Sequence, residues 1–208
     1  MAALHFYHGV MNSGKTIDLL KMHHNNQING HYTVLLSPSC DSRSGSGRIK
    51  SRIGVSQPSI AVSVDDDIVS IVQNIIDRGT KVHSVLIDEA QFFTRAQVIQ
   101  MTDVVDELGI PVIAFGLRSD AFGNLFEGSQ ALMEFADKLK EIGVRCFCGA
   151  KAVMNMRFDE HGNRIREGKS IDVGGEEKYR SACRKHWKSI NHIEECTVHK
   201  STDEAVLV

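Results

Sequence analysis

Short apolar segments alternate along the chain with segments in which hydrophobic residues recur every three or four positions. The short segments, rich in Val, Ile, Leu and Phe, predict buried strands, and the spacing of three and four predicts amphipathic helices. Strands are predicted at 4–7, 32–36, 82–89 and 110–115, and helices at 17–28, 68–76, 95–108 and 128–142. This alternation predicts an α/β fold with a mainly parallel sheet, helices on both faces and a site at the carboxyl ends of the strands.

The residues between the first strand and the first helix fit the phosphate-binding pattern G-x-x-x-x-G-K-[ST]. Gly9 and Gly14 allow a tight turn in which several peptide N–H groups converge on phosphates. Lys15 supplies a positive charge, and Thr16 offers a hydroxyl to Mg²⁺. The alternative is a glycine turn beside a surface lysine, but the flanking strand and helix favour a P-loop NTPase-type site at residues 9–16.

The strand at 82–89 ends in two adjacent carboxylates, Asp88 and Glu89. After a P-loop, an acidic residue at this place is what a Mg²⁺–phosphate site requires. We predict that Asp88 holds the Mg²⁺ shell and that Glu89 accepts a proton. In isolation, a solvated acidic pair at a strand end would be the simpler interpretation.

Four metal-ligating side chains occur as two closely spaced pairs, Cys146 with Cys148 and Cys183 with His186. Two such pairs across a long insert satisfy a tetrahedral, structural Zn²⁺ site that needs no catalytic water. The insert carries glycines among charged residues, which predicts a flap held at its base by the metal. Cys40 and Cys196 stand apart, and we expect both to be free thiols.

The chain has 208 residues, 42% of them hydrophobic, and a net charge of −2. We predict a P-loop kinase domain at 1–143, a zinc-binding lid at 144–190 and a flexible tail at 191–208. Residues 37–58 predict a solvated loop, although Asp41-Ser-Arg43 follows a strand end where ligands bind. The balanced charge and the absence of a membrane span or signal peptide favour a cytoplasmic enzyme without nucleic-acid or membrane partners.

Together these segments resemble the zinc-containing thymidine kinases, in their bacterial and phage branch, over about residues 4–187. The resemblance rests on Met11-Asn-Ser-Gly-Lys-Thr16, Asp41-Ser-Arg43, Asp88-Glu-Ala-Gln-Phe92, Gly116-Leu-Arg-Ser-Asp120, Cys146-Phe-Cys-Gly-Ala-Lys-Ala152, Gly174-Gly175 with Tyr179, and Cys183-Arg-Lys-His186. In this order the set is very specific. It implies transfer of the γ-phosphoryl group of ATP to the 5′-hydroxyl of thymidine, and also of deoxyuridine, by a homotetramer.

The resemblance also implies a role for each site residue. Glu89 would be the catalytic base, Lys15 and Arg43 would offset the charge on the transferred group, and Thr16 and Asp88 would bind Mg²⁺. The implied ATP site comprises Gly9, Val10, Met11, Asn12, Ser13, Gly14, Lys15, Thr16, Asp88, Glu89, Ala90 and Gln91. The implied thymidine site comprises Phe92, Phe126, Val173, Gly174, Gly175 and Tyr179, with the insert closing over the nucleoside as a "lasso".

One departure from the family concerns the residue after Asp120, where relatives commonly have Phe. This chain has Ala121 there, followed by Phe122. Either Phe122 shifts to fill the pocket, or that wall of the pocket is lost.

Two other functions fit parts of the pattern. Asp88-Glu-Ala-Gln91 is similar to the Asp-Glu-Ala-Asp box of nucleic-acid-dependent ATPases, but a single sheet domain leaves no room for a second motor domain, and the balanced charge supplies no strand-binding groove. A nucleotide-binding adaptor without catalysis would leave Glu89 unexplained. The kinase accounts for more of the chain than either.

Overall fold

The computed structural model describes residues 1–40, 47–168 and 179–197. The strands are β1 (Leu4–Gly9), β2 (Tyr32–Pro38), β3 (Arg48–Lys50), β4 (Ser56–Pro58), β5 (Ile60–Val62), β6 (Val82–Ile87), β7 (Val112–Leu117), β8 (Lys138–Ile142), β9 (Val144–Arg145), β10 (Lys151–Ala152), β11 (Met154–Phe158), β12 (Arg164–Ile165) and β13 (Tyr179–Ala182). The helices are α1 (Lys15–Ile28), α2 (Ile68–Asp77), α3 (Arg95–Asp106), α4 (Glu127–Phe135) and α5 (Arg184–Ser189), with 3₁₀ turns at Ala90–Phe92 and Ile193–Glu195.

A six-stranded sheet of order β5-β2-β6-β7-β1-β8 forms the centre of the larger unit, residues 1–40 and 47–143. Every neighbouring pair in this sheet is parallel. The carboxyl ends of its strands therefore meet at one edge, where the loops that follow β1, β6 and β7 lie side by side.

Side chains of the central strands alternate between two hydrophobic clusters. On β6, Val85 and Ile87 belong to the cluster that contains residues of α2, α3 and α4, whereas Leu86 belongs to the cluster that contains residues of α1. Since successive side chains of a strand point to opposite faces, the sheet is covered by helices on both sides. The predicted α/β fold is confirmed.

Three predicted helices, at 17–28, 68–76 and 95–108, are confirmed as α1, α2 and α3. Local capping explains where two of them begin. The side chain of Asp67 accepts from the N–H of Val69 at the start of α2, and Thr94 forms a capping box with Gln97 at the start of α3.

The predicted helix at 128–142 is wrong beyond Phe135, where α4 ends. The following residues form β8 at the edge of the sheet, with four exposed side chains from Lys138 to Glu141. Lysines are common on such edges because they discourage pairing with other chains. Asp137 fixes the start of the strand, since its Oδ2 accepts from the N–H of Leu4 at 2.7 Å.

The expectation of a solvated loop at 37–58 is wrong for its second half. Strands β3 and β4 pair there as an antiparallel hairpin. Ile49 anchors this hairpin, since its side chain is 1% exposed and packs in the cluster of Leu19 and Leu86. Burial of one β3 side chain leaves its neighbours Arg48 and Lys50 exposed on the other face.

Strands β9 to β13 and α5 belong to the smaller unit, residues 144–168 and 179–197. It contains the β9–β10 hairpin and a three-stranded antiparallel sheet, β12-β11-β13, so the insert is partly a sheet rather than wholly a flap. Its core includes Met156 and Phe158, and Ile193 and Cys196 from the expected tail pack against it. Residues 198–208 lie outside the described residues.

No helix within the described ranges is long and apolar enough to cross a membrane.

Candidate active site

The P-loop connects β1 to α1 in the conformation that the glycine pattern predicts. Asn12 and Gly14 have positive φ angles of 63° and 87°. A Cβ on Gly9 would lie 2.5 Å from Ser13 Oγ, so a side chain at this position would collide with the loop. The N-terminus of α1 follows directly, which gives the loop the backbone dipoles that attract phosphate.

Lys15 lies inside this loop, with 8% of its surface exposed. Its Nζ donates to the carbonyl O of Val10 at 2.8 Å and to Ser13 Oγ at 3.4 Å. The ammonium group is thus held within the curve of the backbone, where a phosphate would meet it.

Asp88 directly follows β6 and faces the start of α1. Thr16 Oγ1 donates to Asp88 Oδ1 at 3.4 Å, and the N–H of Asp88 donates to the carbonyl O of Leu36 at 3.0 Å. Burial, together with the adjacent charge of Glu89, raises the pKa of Asp88 to about 7. The hydroxyl and carboxylate oxygens are donors of the kind that Mg²⁺ prefers, so the residues present fit this ion.

Glu89 takes a left-handed backbone conformation, with φ at 49°. Its Oε2 accepts from Gln91 Nε2, and Gln91 Oε1 accepts from the N–H of Leu117 at 2.9 Å. Gln91 is 2% exposed, so this relay is shielded from water. A Cβ on Gly116 would lie 2.9 Å from Gln91 Oε1, and only glycine leaves room for the amide. The hydrogen bond from Gln91, itself fixed by Leu117, therefore holds the Glu89 carboxylate in place.

A cavity of about 480 Å³ opens over the P-loop and the two carboxylates. Its lining comprises Met11, Asn12, Ser13, Gly14, Lys15, Thr16, Ile17, Ser37, Arg48, Ile49, Lys50, Ser51, Arg52, Ile53, Asp88, Glu89 and Leu117. Among the predicted ATP contacts, Gly9, Val10, Ala90 and Gln91 do not line it. Val10 packs in the core of the smaller unit, and Ala90 packs in the core of the larger unit.

The basic residues Arg48, Lys50 and Arg52 line the cavity, although none of them was predicted from the sequence as a site residue. The alternation of these basic residues with Ile49 and Ser51, which are buried, is the pattern of a strand with one exposed face. This alternation could have indicated that the three basic side chains share one face. The predicted basic residue of this stretch, Arg43, lies outside the described residues.

Two of the predicted nucleoside-site aromatics lie together. The rings of Phe92 and Phe126 are 5.8 Å apart between centroids and nearly perpendicular, at 79°. Gly128 permits this approach, because a Cβ there would lie 2.6 Å from the carbonyl O atoms of Ala90 and Phe93. The structure therefore forms an aromatic corner beside the Ala90–Phe92 turn.

Asp120 organises the loop that contains the departure at Ala121. Its Oδ1 accepts from the N–H groups of Phe122 and Asn124. Ala121 is buried, and the ring of Phe122 lies near Gly168 in the insert. Tyr179 is the first residue of β13. The predicted contacts Val173, Gly174 and Gly175 lie outside the described residues.

The four predicted metal ligands converge. The ligand atoms of Cys146, Cys148, Cys183 and His186 all lie within 4.8 Å of one another. His186 Nδ1 is 3.4 Å from Cys146 Sγ and 3.5 Å from Cys183 Sγ, and the sulfurs of Cys148 and Cys183 are 4.0 Å apart. In a tetrahedron with zinc bond lengths, ligand atoms are separated by roughly 3.4–3.8 Å. The donor set and its spacing fit Zn²⁺.

A parallel sheet with a P-loop after one strand and an acidic pair after another defines a P-loop nucleotide-binding protein of the α/β class. A family model described as thymidine kinase matches residues 2–187. The chain belongs to the thymidine kinase family.

Individual relatives agree with the family model over most of their length. A protein named thymidine kinase from Rhodopirellula baltica is 47% identical over 188 residues, which cover 90% of this chain and 89% of the relative. A thymidine kinase from Legionella pneumophila (strain Lens) is 46% identical, and the alignment covers 90% of this chain and 90% of the relative. A thymidine kinase from Xanthomonas axonopodis pv. citri is 45% identical, and the alignment covers 91% of each chain.

Proposed function

We propose that this chain is an ATP-dependent thymidine kinase, which transfers the γ-phosphoryl group of ATP to the 5′-hydroxyl of thymidine and gives dTMP and ADP. The observation that carries the proposal is the placement of Glu89 beside the P-loop, held by Gln91 at the mouth of the phosphate cavity. A protein that only binds nucleotide has no use for a carboxylate fixed in this way. Family membership identifies the acceptor.

The donor phosphates are proposed to bind over residues 11–16, where Lys15 and the N-terminus of α1 supply positive charge. Arg48, Lys50 and Arg52 would add a second basic wall to this cavity, and Arg43 would offset charge on the transferred group. Mg²⁺, held by Thr16 and Asp88, would supply charge neutralisation of the phosphate oxygens. Positioning and charge stabilisation then lower most of the barrier.

Glu89 is proposed to accept the proton of the 5′-hydroxyl as the oxygen attacks the γ-phosphorus. A general base must lie within hydrogen-bond reach of its proton, and the relay through Gln91 and Leu117 keeps the carboxylate at one place. The O–H bond breaks, a new P–O bond forms, and the bond from the γ-phosphorus to ADP breaks.

The nucleoside is proposed to bind against Phe92, Phe126 and Tyr179, under residues Val173–Gly175 of the insert. The aromatic corner gives the base an apolar wall with edge-to-face geometry. Because a wall of this kind senses a single methyl group only weakly, we expect deoxyuridine to be accepted as well.

Zn²⁺, bound by Cys146, Cys148, Cys183 and His186, is proposed to be structural, since four protein ligands leave no open position.

The division of the chain into a kinase domain at 1–143, a lid at 144–190 and a tail at 191–208 stays a prediction. The homotetramer and the cytoplasmic location also stay predictions. Light scattering of the purified protein would test the assembly.

One assay tests the proposed function. Purified protein with Mg-ATP and a panel of nucleosides is followed for ADP release and for dTMP. We expect release with thymidine and deoxyuridine, and little with ribonucleosides or with single-stranded DNA. Absence of thymidine-dependent ADP release would overturn the proposal, and stimulation by single-stranded DNA would favour a nucleic-acid-dependent ATPase.

A further inference from the structure

The smaller unit holds one P-loop residue by both of its backbone polar groups. The N–H of Met11 donates to Asn155 Oδ1 at 2.8 Å, and the carbonyl O of Met11 accepts from Ser181 Oγ at 2.5 Å. Asn155 and Ser181 are directly paired across β11 and β13. The P-loop is therefore fastened to the sheet of the smaller unit as well as to β1 and α1.

Asn155 also reaches the loop after β7. Its Nδ2 donates to the carbonyl O of Ser119 at 3.1 Å, and the residue is only 2% exposed. Buried bonds of this kind are costly to lose, because the separated groups find no water to replace their partners. One amide thus fixes the distance between the P-loop and the loop that leads to Phe126.

Ser181 lies on the strand that connects the candidate nucleoside site to the metal ligands. Tyr179 begins β13 two residues before it, and Cys183 follows two residues after it. The Ser181 hydroxyl therefore joins this strand to the backbone of Met11.

We propose that Asn155 and Ser181 are positioning residues that couple nucleoside binding to the conformation of the P-loop. Whatever orders β13 also orders Met11, and with it the P-loop backbone that receives ATP. Because coupling between two sites is reciprocal, thymidine and ATP should each strengthen binding of the other. This inference rests on the proposed function, since it takes thymidine and ATP as the two ligands.

The test is calorimetric binding of a non-hydrolysable ATP analogue to the full-length, zinc-loaded protein, with and without saturating thymidine. In the parent protein, thymidine should lower the Kd of the analogue. In Ser181→Ala, the loss of one partly buried hydrogen bond should raise the Kd by about five- to tenfold, and the effect of thymidine on the Kd should approach a factor of one. Asn155→Ala should do the same more strongly.

Two further variants separate positioning from general stability. Ser181→Thr keeps the hydroxyl and should restore both the Kd and its response to thymidine. Asn163→Ala removes an exposed amide of the same unit that bonds Asp159, so it should change neither. Because Asn155→Ala removes two hydrogen bonds, to Met11 and to Ser119, and one of them is buried, Ser181→Ala is the variant on which the inference stands.

An unaltered Kd and response to thymidine in folded Ser181→Ala would overturn the inference. So would a parent protein in which thymidine leaves the Kd of the analogue unchanged although turnover is normal. Failure of the proposed function looks different, since the parent protein would then release no ADP when thymidine is added.

Discussion

At Glu89 the backbone occupies the left-handed region, which costs a residue with a side chain on the order of 1 kcal/mol or more. The surrounding contacts maintain this conformation: Gln91 holds the carboxylate, and Gly116 leaves space for Gln91. Strain of this kind at a charged side chain is typical of functional sites. The left-handed backbone conformation of Glu89 places its side chain at the cavity.

Glu89→Gln should reduce kcat by roughly 10²–10⁴-fold, because the amide keeps the shape of the side chain but cannot accept the proton. Binding of ATP should change little, since the P-loop is untouched. Steady-state kinetics and calorimetry measure the two quantities. Glu107→Gln, at an exposed acid after α3, is the control. Normal turnover in Glu89→Gln would exclude this residue as the base.

Candidate site residues could be predicted from the sequence where the pattern is local. The P-loop, Asp88 with Glu89, and the two Cys/His pairs each occupy a few adjacent positions, and the structure brings each set together. Asn155 and Ser181 had no such signal, since they lie 144 and 170 residues from Met11. Only the fold brings them to the P-loop.

Among the elements, α1 carries a buried histidine against the sheet. His23 is 7% exposed, and its Nδ1 has no hydrogen-bond partner among the described residues. Burial lowers the pKa of His23 below the ordinary value of 6.5, and the neighbouring His24 lowers it further. The unfolded chain therefore binds this proton more tightly than the folded chain does.

It follows that His23 costs no stability above pH 6.5, its ordinary pKa, and destabilises the fold as the pH falls through that value. We expect the melting temperature to drop between about pH 7.5 and about pH 5.5, and to drop less in His23→Gln. Calorimetric scans at both pH values measure this. His161→Gln, at an exposed histidine, should behave like the parent. Equal drops in parent and His23→Gln would refute the prediction.

Elements were predictable where one hydrophobic period dominated. The helix α2 and the strand β7 have buried faces of that kind, and both were found close to their predicted places. The strand β8 was mistaken for a continuation of α4 because most of its side chains are exposed on a sheet edge and show no alternation. The β3–β4 hairpin was missed because Ile49 is its one deeply buried side chain.

In the whole molecule, the cysteine–histidine cluster lies in a unit with a small core. Cys146 belongs to that core, and Cys183 precedes α5. Small units of this size usually need such a crosslink. The metal is thus expected to support the hydrogen bonds that reach the P-loop.

Cys183→Ser should reduce zinc content from about one ion per chain to near zero and lower the melting temperature by about 5–10 °C. Elemental analysis and calorimetry provide these measurements. Cys196→Ser, at a thiol that packs in the same unit outside the cluster, should retain the metal. Full activity with an unchanged melting temperature in Cys183→Ser would contradict a structural site.

The order of strands in the sheet also bears on how the protein is made. The strand β1 pairs with β7 and β8, which are synthesised long after it, so its neighbours do not exist while the first half of the chain emerges. At about 5–20 residues per second, a ribosome needs several seconds to supply them. We therefore expect the P-loop to be among the first segments translated and among the last to reach its native conformation.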